Sequence, residues 1–418
     1  MITQTLSIES KNGTCPVNHE VFSPRRMPFE VEADQPGLVR GADGVWQVRD
    51  YEIAKRILRG KETRQAGFGA EILQKLPDGF IKNDPVLFQD GAEHKKQRRE
   101  IARFFTPKAT SNNYRRMMER YAHEMLAELY EKGRLELSDL TMKMATEVAA
   151  QVVGLTSSLL PGMAHRMNHF IEQADFEEVN VKWQPKVLLK HIQNQISMAK
   201  FFYLDVKPAI MSRKRKPQED VISHLIAQNY SSAEIMVECI TYGTAGMVTT
   251  REFIVVATWH MLENSALRTE YLNANQAARH QILEEILRVD PIVGRLYRRT
   301  TEDIELEANG ETMTIPAGEL VELHIDAINA DESVVGAQPL AACPMRKLQK
   351  RAQPPIMGFG DGPHRCPGAY IAIQETDIFL HKLLAIKELR LVSEPQVTYR
   401  DLVKGYEVRN FIISVENN

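Results

Sequence analysis

The sequence contains few cysteines, and their spacing limits the chemistry that they can share. Only Cys15, Cys239, Cys343 and Cys366 occur among 418 residues, and no two of them form a Cys-x-x-Cys pair. Disulfide frameworks and structural zinc sites use clustered pairs, so this pattern predicts neither. A reducing, cytoplasmic compartment fits this use of cysteine.

Long apolar runs and an excess of one charge are also missing. No window approaches the roughly 18 uncharged apolar residues of a membrane span, and Met1 to Arg26 lacks a basic segment followed by an apolar one. With 52 Lys and Arg against 55 Asp and Glu, the net charge is −3. The overall composition therefore predicts binding to neither nucleic acid nor membrane.

Linkers rich in Pro, Gly and Ser, which would separate domains, are absent from the sequence as well. The chain is longer than most single domains, yet no shift in composition divides it. We therefore expect one domain over residues 1–418, with an irregular N-terminal arm over about residues 1–30.

The segment from Met357 to Gly368, MGFGDGPHRCPG, is the most informative stretch of the chain. Its glycines and prolines predict a tight loop, and apolar residues recur at helical spacing between Ala369 and Leu384. Cys366 is thus expected just before a helix N-terminus, where free backbone N–H groups favour a thiolate. From these residues alone, Cys366 could be a nucleophile, a metal ligand or a buried structural cysteine.

The spacing Phe-x-x-Gly-x-x-x-Cys-x-Gly, beginning at Phe359, resembles the haem-ligand loop of the cytochrome P-450 family. In that family the cysteine thiolate is the proximal ligand of haem iron. The resemblance implies haem b as the cofactor and Cys366 as its iron ligand. It also places Phe359, Gly360 and Gly368 at the cofactor, and the lack of a membrane segment points to the soluble bacterial type.

Basic residues elsewhere match further parts of the family pattern. His94 and Arg98 share one face of a predicted helix that ends at Thr106-Pro107, which alone indicates only a solvated basic helix. The order His-x-x-x-Arg followed by Phe-Thr-Pro resembles the family's helix at the haem propionates, where cations meet carboxylates. The resemblance assigns propionate binding to His94, Arg98, Arg298 and His364.

Glu285 and Arg288 form an i, i+3 pair on a predicted helix that ends before Pro291. Such pairs are common at surfaces and stabilise little. Their position before a strand that carries Arg298 resembles the family's structural Glu-x-x-Arg helix. We expect Arg346, in the segment before the cysteine loop, to complete this cluster.

A long helix is predicted from Ala233 to Leu262, with Ala-Gly-Met-Val-Thr-Thr at its centre. Glycine and two threonines weaken an apolar helix and by themselves predict only a kink. The segment resembles the family's distal wall above the haem, which assigns catalytic roles to Gly246, Val248, Thr249 and Thr250 and a place in the pocket to Ala245. Thr249 matches the residue that orients dioxygen.

Val248 departs from the family pattern, because it occupies the position of an acid that relays protons. Valine can neither donate nor accept a proton, so the proton must take another route. Waters held by Thr249, by Thr250 or by the substrate could supply that route. Alternatively, the enzyme does not need the usual cleavage of the O–O bond.

The resemblance places the substrate pocket at several segments with weak or irregular patterns. It includes the loop between Gly60 and Gly91, the strand after Pro291 and the turn at residues 405–407. Arg295 is unusual, since a charge facing an apolar cavity is unfavourable unless it is paired. It either turns outward to a carboxylate or meets a polar or anionic substrate group. The expected pocket residues are Phe68, Ala245, Val293, Gly294, Arg295 and Tyr406.

Together these motifs imply a mainly α fold with small β-sheets, with haem between the long helix and the cysteine loop. The implied function is a haem-thiolate monooxygenase that inserts one oxygen atom of O2 into a C–H bond, or epoxidises, a small organic substrate in secondary metabolism. The alternative is oxidative coupling, dehydrogenation or rearrangement without net oxygen insertion. A sensor would need an output segment, and the sequence shows none.

Electrons would come from a ferredoxin or flavodoxin with an NAD(P)H-dependent reductase. We expect an acidic partner of this kind to dock beside Cys366, where cations cluster in the sequence. These are Lys95, Lys96, Arg99, Arg103, Lys347, Lys350 and Arg351.

Overall fold

The computed structural model describes residues 36–68, 83–167, 185–341, 343–344, 346–400 and 405–415. Helices dominate these ranges, as the sequence predicts. The helices are α1 Tyr51–Arg59, α2 Gly91–Ile101, α3 Arg115–Lys132, α4 Leu137–Val153, α5 Pro185–Phe201, α6 Lys207–Arg215, α7 Val221–Ala227, α8 Ser232–Glu263, α9 Ser265–Asn273, α10 Gln276–Val289 and α11 Ala369–Leu384. Shorter helical turns cover Ala102–Phe104, Pro107–Ala109, Thr110–Tyr114, Phe202–Val206, Ile325–Asn329, Glu332–Val335 and Gly362–His364.

The strands are short and form several small sheets. A five-stranded sheet has the order β1-β2-β8-β5-β3, in which only β2 and β8 run parallel. A three-stranded sheet has the order β4-β12-β9, and β6-β7 and β10-β11 form separate pairs. The bounds are β1 Leu38–Arg40, β2 Trp46–Val48, β3 Thr63–Ala66, β4 Arg134–Glu136, β5 Arg295–Thr300, β6 Ile304–Ala308, β7 Glu311–Ile315, β8 Leu320–His324, β9 Arg390–Leu391, β10 Gln396–Arg400, β11 Gly405–Arg409 and β12 Ile412–Ser414.

Helix α8 is the central element of the larger core, and it packs along α4 and α11. Ser231 and Ser232 with Glu234 predict the start of this helix, and a capping box forms there. The Ser231 hydroxyl accepts from the Glu234 N–H, and the Glu234 carboxylate accepts from the Ser231 N–H. The helix matches the predicted range to within one residue at each end. It runs without interruption through Gly246, so the weak helix formers at its centre produce no break.

A second, smaller core lies between the five-stranded sheet and α1. The turn residues Gly41-Ala42-Asp43-Gly44 between two short apolar runs predict a hairpin at its edge. The structure confirms it, because β1 and β2 pair antiparallel with Leu38 opposite Val48. Asp50 before the sequence Tyr51 to Leu58 predicts a helix N-cap, and this is confirmed, since the Asp50 carboxylate accepts from the Ile53 N–H at 2.8 Å. This core supports the sheet that carries Arg298.

Some expectations need correction, and others fall outside the described residues. Cys343 is disulfide-bonded, contrary to the expectation from cysteine spacing, whereas Cys239 and Cys366 are free thiols. Residues 405–407, expected as a turn, belong to strand β11. The predicted arm over residues 1–30 and most of the predicted pocket loop, residues 69–82, lie outside the described ranges.

Within the described ranges, no helix combines the length and the apolar composition needed to cross a membrane.

Candidate active site

The cysteine loop is folded by its own backbone and held against α1. The N–H of Cys366 donates to the carbonyl of Phe359 at 2.9 Å, which closes the loop. Gly362 has a φ of +67°, and a Cβ there would collide with the carbonyl oxygen of Leu58. Only glycine fits this close approach. Asp361 also holds the cysteine loop to α1, because its carboxylate accepts two hydrogen bonds from Arg59 at 2.7 and 3.1 Å.

Cys366 is enclosed by protein, yet its side chain keeps solvent-accessible surface. That surface must therefore face an internal hollow. Burial raises the pKa of the thiol, although N–H groups of Gly368 and Ala369 and the charge of Arg98 act in the opposite direction. The helix N-terminus was expected to favour a thiolate. Without a bound cofactor, its lowering of the Cys366 pKa is smaller than the rise caused by burial.

The four predicted propionate ligands come together at one side of this hollow. The rings of His94 and His364 stack with centroids 4.0 Å apart, and Arg98 donates to the carbonyl of Arg365 in the cysteine loop. Arg298 donates to the Gln65 carboxamide at 2.6 Å. Burial, together with the charges of His364 and Arg98, lowers the pKa of His94 to about 4, and burial lowers the pKa of Arg298 to about 10.

Asp90 is the acid that faces this group of cations. Its carboxylate lies 3.0 Å from Nε2 of His364 and accepts from the N–H of Gln65 at 3.1 Å. Because the pKa of His94 is about 4, the positive charge at neutral pH comes from Arg98 and Arg298. Two guanidinium groups against the one carboxylate of Asp90 make the site suitable for a group that carries carboxylates. Asp90 and Gln65 were not identified from the sequence, because each is distant in the chain from the residue that it contacts.

The Glu285 cluster holds the segment before the cysteine loop. Arg288 binds the Glu285 carboxylate through two bonds of 2.8 Å, and it donates to the carbonyls of Asn329 and Pro339. Arg346, the expected third member, lies 3.6 Å from Glu285. Both arginines also donate to the carbonyl of Ala341. The cluster thus ties α10 to the irregular chain that leads to Met357.

The centre of α8 carries the remaining predicted catalytic residues. Ala245 is exposed although neighbouring turns of α8 are buried, so it faces a hollow. Thr249 is half-buried and donates its hydroxyl proton to the Ala245 carbonyl at 2.6 Å. Val248 points elsewhere, into a small apolar contact with Met198 of α5 and Ile240. Thr250 and Gly246 line a small cavity together with Gly368 and Glu375.

Arg295 has a partner within the protein, which favours the first of its two predicted environments. Its guanidinium donates to Asp326 at 2.6 Å, and both side chains are buried. Successive side chains of a strand point to opposite faces, so Arg295 lies on the face of β5 opposite Leu296 and Arg298. Leu296 lies 3.6 Å from a Cβ position at Gly360, which places the cysteine loop on that other face. The structure thus argues against Arg295 as a pocket residue.

The other predicted pocket residues are less constrained. Val293 and Gly294 are half-buried at the start of β5, where the Gly294 carbonyl accepts from the Ile325 N–H at 3.0 Å. Phe68 is half-buried at the end of a described range, with a φ of +54°. The side chain of Tyr406 lies outside the described part of the structure.

A sequence model of the cytochrome P450 family matches residues 36–271 and 278–401 of this chain. The chain belongs to the cytochrome P450 family. As a member it is an oxidoreductase of a family whose enzymes carry haem-thiolate iron, and which use O2 and electrons from redox partners to transform small molecules. The predicted fold class is confirmed by the same match and by solved relatives.

Relatives with described roles are bacterial P450s of low identity. The biotin biosynthesis cytochrome P450 of Bacillus subtilis (strain 168) is 27% identical over 85% of this chain and 87% of its own. Nocardicin C N-oxygenase of Nocardia uniformis subsp. tsuyamanensis is 24% identical over 91% and 92%. The structure of P450BioI with acyl carrier protein is 24% identical, covers 91% of this chain and 95% of that one, and has a TM-score of 0.72.

The residues present fit a P450 haem. The free thiol of Cys366 is accessible from an enclosed hollow, and basic side chains with lowered pKa values converge beside it. Ala245 is accessible near the middle of α8, and α8 packs on the helix that follows the cysteine loop. Ala245 and Gly368 leave space where larger side chains would project. A flat group that carries carboxylates at one edge matches this distribution of apolar wall, thiol and cations.

A small cavity behind α8 contains polar atoms that sequence reasoning missed. Its volume is about 60 Å³, and it lies between α4, α8 and α11. Oε1 of Glu375 and the hydroxyl of Tyr242 are buried without a hydrogen-bond partner, and both residues line it beside Thr250 and Gly246. Burial alone raises the pKa of Glu375 to about 8. The sequence signal that could have identified this site is Glu375 itself, a glutamate within the apolar helical pattern from Ala369 to Leu384.

The placement of Arg295 predicts a loss of stability when its side chain is removed. Arg295→Ala leaves the Asp326 carboxylate buried without its cation, which should lower the free energy of unfolding by about 3–5 kcal/mol in urea titrations. The control is Arg299→Ala, on the same face of β5, whose half-buried side chain donates to the Gly318 carbonyl; it should change the free energy of unfolding by under about 1 kcal/mol. If the Arg295→Ala protein were as stable as the wild type but lost ligand binding, Arg295 would have to be assigned to the pocket.

Proposed function

We propose that this P450 is a haem-thiolate monooxygenase that inserts one atom of O2 into a C–H bond, or epoxidises, a small organic substrate. The observation that carries the proposal is the enclosed yet accessible thiol of Cys366, with the basic residues His94 and Arg98 beside it. We assign Ala245 and Thr249 of α8 to the opposite wall of its hollow. The matched ranges support a single P450 domain over residues 1–418. Relatives such as nocardicin C N-oxygenase support a role of this P450 in secondary metabolism.

In this proposal Cys366 binds the iron of haem b, and His94, Arg98, Arg298 and His364 bind its propionates. Haem, when bound, supplies the iron centre at which dioxygen is activated with electrons from a redox partner. The N–H groups of Gly368 and Ala369 stabilise the Cys366 thiolate. The Glu285 cluster keeps the loop in place, and Ala245, Val293 and Gly294 contribute to the wall that excludes water from the substrate.

Thr249 is the residue that we assign to orienting dioxygen. Its hydroxyl donates to the Ala245 carbonyl, so its oxygen can accept a hydrogen bond from the hollow. To donate there, the hydroxyl has to rotate away from that carbonyl. Proton supply then needs a second group, and Val248 cannot be that group, because it is apolar and faces Met198 and Ile240.

Glu375 is the group that we assign to proton supply. Its pKa of about 8 keeps it protonated at neutral pH, and its cavity adjoins α8 at Gly246 and Thr250. The cavity volume of about 60 Å³ exceeds the roughly 10–15 Å³ that one water needs, and at roughly 30 Å³ per water it has room for about two. Waters between Glu375, Tyr242 and Thr250 would satisfy the unpartnered atoms and connect the carboxyl to the centre of α8. The alternative without oxygen insertion has no need of this proton.

The assignment of Cys366 is tested by its spectrum. The reduced protein with carbon monoxide should show the red-shifted Soret band of a thiolate ligand, and Cys366→Ser should abolish that band. Cys239→Ser is the control. That thiol is buried in α8, outside the cysteine loop, so its replacement should leave the band unchanged. A wild-type spectrum typical of histidine ligation would contradict the proposal.

The assignment of Glu375 predicts a change in coupling. Glu375→Gln keeps the shape of the side chain but removes its proton, so more electrons should be lost to peroxide per substrate turned over, with the carbon monoxide spectrum unchanged. In the wild type, coupling should fall as pH rises through about 8, because the raised pKa makes Glu375 lose its proton there. Glu375→Gln should lack this dependence.

Glu270→Gln is the matched control for that experiment. Burial raises the pKa of Glu270 too, and its Oε2 has no partner, but it lies on α9 away from the lining of the cavity. Peroxide should stay at the wild-type level in this variant. Unchanged coupling in Glu375→Gln, or an equal change in both variants, would remove Glu375 from the proton route.

The docking face for a redox partner predicts a steep salt dependence of reduction. Lys95, Lys96 and Arg99 are exposed on α2, which adjoins the cysteine loop through Arg98. Reduction by an acidic ferredoxin or flavodoxin should slow as salt rises, since exposed charges are screened beyond roughly 8–10 Å. Reversing these three charges should slow reduction at low salt. Reversing Lys200, Lys207 and Lys214, on α5 and α6, is the control; equal slowing would contradict this face.

A further inference from the structure

Exposed apolar side chains are concentrated in one region of the described surface. The large apolar residues that are exposed are Tyr130, Leu159, Leu160, Ile196, Tyr203, Met211, Val392 and Val397. Five of these eight lie in the loop at residues 159–160 or on the helical run from α5 to α6. Single exposed apolar residues are normal, whereas a concentration of this kind marks an interaction surface.

The helical run presents these residues on one face. Helix α5, the π-helical turn Phe202–Val206 and α6 follow one another without a gap. Ile196, Lys200, Tyr203, Lys207, Met211 and Lys214 are exposed and recur every three or four residues, so they form one stripe roughly 27 Å long at 1.5 Å per residue. We call this stripe, together with Leu159 and Leu160, the α5–α6 ridge.

A proline fixes the loop beside the stripe. Pro208 has no N–H and cannot donate to the carbonyl of Leu204, four residues earlier. That carbonyl accepts instead from the N–H of Leu159 at 2.8 Å. Arg166 donates to the carbonyls of Leu160 and Pro161 and pairs with Asp205 at 2.6 Å. Leu159 and Leu160 are therefore held next to Tyr203 with their side chains exposed.

The exposed charges of this region have one sign. Asp205 is the acid of residues 155–167 and 193–216, and it is buried against Arg166. The exposed charged side chains of residues 193–216 are Lys200, Lys207, Lys214, Arg215 and Lys216, and no ion pair with a described residue is seen for any of them. Lys207 lies over the Tyr203 ring at 5.1 Å. The ridge is thus locally basic, although the chain has a net charge of −3.

We propose that the α5–α6 ridge binds the surface of an anionic lipid bilayer, so that this P450 is a peripheral membrane protein. Lysines alternate with apolar residues along the ridge. This pattern suits a bilayer, because apolar side chains can enter it singly while lysines reach the headgroups. A second copy of the chain would bring like charges together, which disfavours self-association through the ridge.

The test is sedimentation of the haem-loaded protein with vesicles at low and high salt. The protein should bind equimolar phosphatidylcholine and phosphatidylglycerol at least about tenfold more tightly than pure phosphatidylcholine, and salt should weaken this binding. The charge variant Lys200→Glu, Lys207→Glu, Lys214→Glu should lose the anionic preference. The apolar variant Ile196→Ser, Met211→Ser should also bind at least about tenfold more weakly, because less apolar surface enters the bilayer.

The matched control is Lys95→Glu, Lys96→Glu, Arg99→Glu, which makes the same change of charge on α2, where no described residue exposes a large apolar side chain. It should bind vesicles like the wild type, and all variants should keep the carbon monoxide spectrum. The proposal would be overturned if the control lost as much vesicle binding as the charge variant, or if the charge variant lost binding and the apolar variant did not. Either result would mean that general electrostatic attraction explains the binding. Absence of vesicle binding, with weaker ferredoxin binding by the charge variant, would assign the ridge to an acidic protein instead.

Discussion

The fixed position of one thiol within an enclosed hollow is the constraint on which the site depends. Cys366 can remain there because its loop is closed by a backbone bond to Phe359 and seated on α1 through Gly362. The loop is in turn held by the Glu285 cluster, whose arginines satisfy carbonyls of the irregular chain before it. A buried ion pair is weak evidence for stability. Here its role is better described as positional, because it joins segments that share no sheet or helix.

Motifs that are local in sequence could be predicted, because their geometry is set by a few adjacent residues. The capping box at Ser231 and Glu234, the Asp50 cap and the β1–β2 hairpin are of this kind. Contacts between distant segments could not be predicted. His364 meets Asp90 across 274 positions, and Arg298 meets Gln65 across 233. Neither partner belongs to a pattern, so only the fold brings them to the cations.

Arg295 shows a different limit of sequence reasoning. The apolar residues around Arg295 correctly predict that its charge is paired. They do not predict which face of the strand the side chain occupies. Arg298 and Arg295 are three positions apart, so a strand places them on opposite faces. Once Arg298 is assigned to the side of the cysteine loop, Arg295 must face away, where Asp326 lies. A polar substrate group at Arg295 therefore loses its support, and the missing acid at Val248 needs a separate explanation.

The two faces of α8 explain why an acid at position 248 is not the only way to supply a proton. Val248 faces Met198 and Ile240, so a carboxylate there would enter an apolar contact and cost free energy. Glu375 already bears that kind of cost, and its raised pKa is the consequence. A neutral buried carboxyl holds a proton at the pH where an exposed one has lost it. The departure at Val248 and the unpartnered atoms of Glu375 and Tyr242 are thus consistent with a proton that reaches α8 from α11.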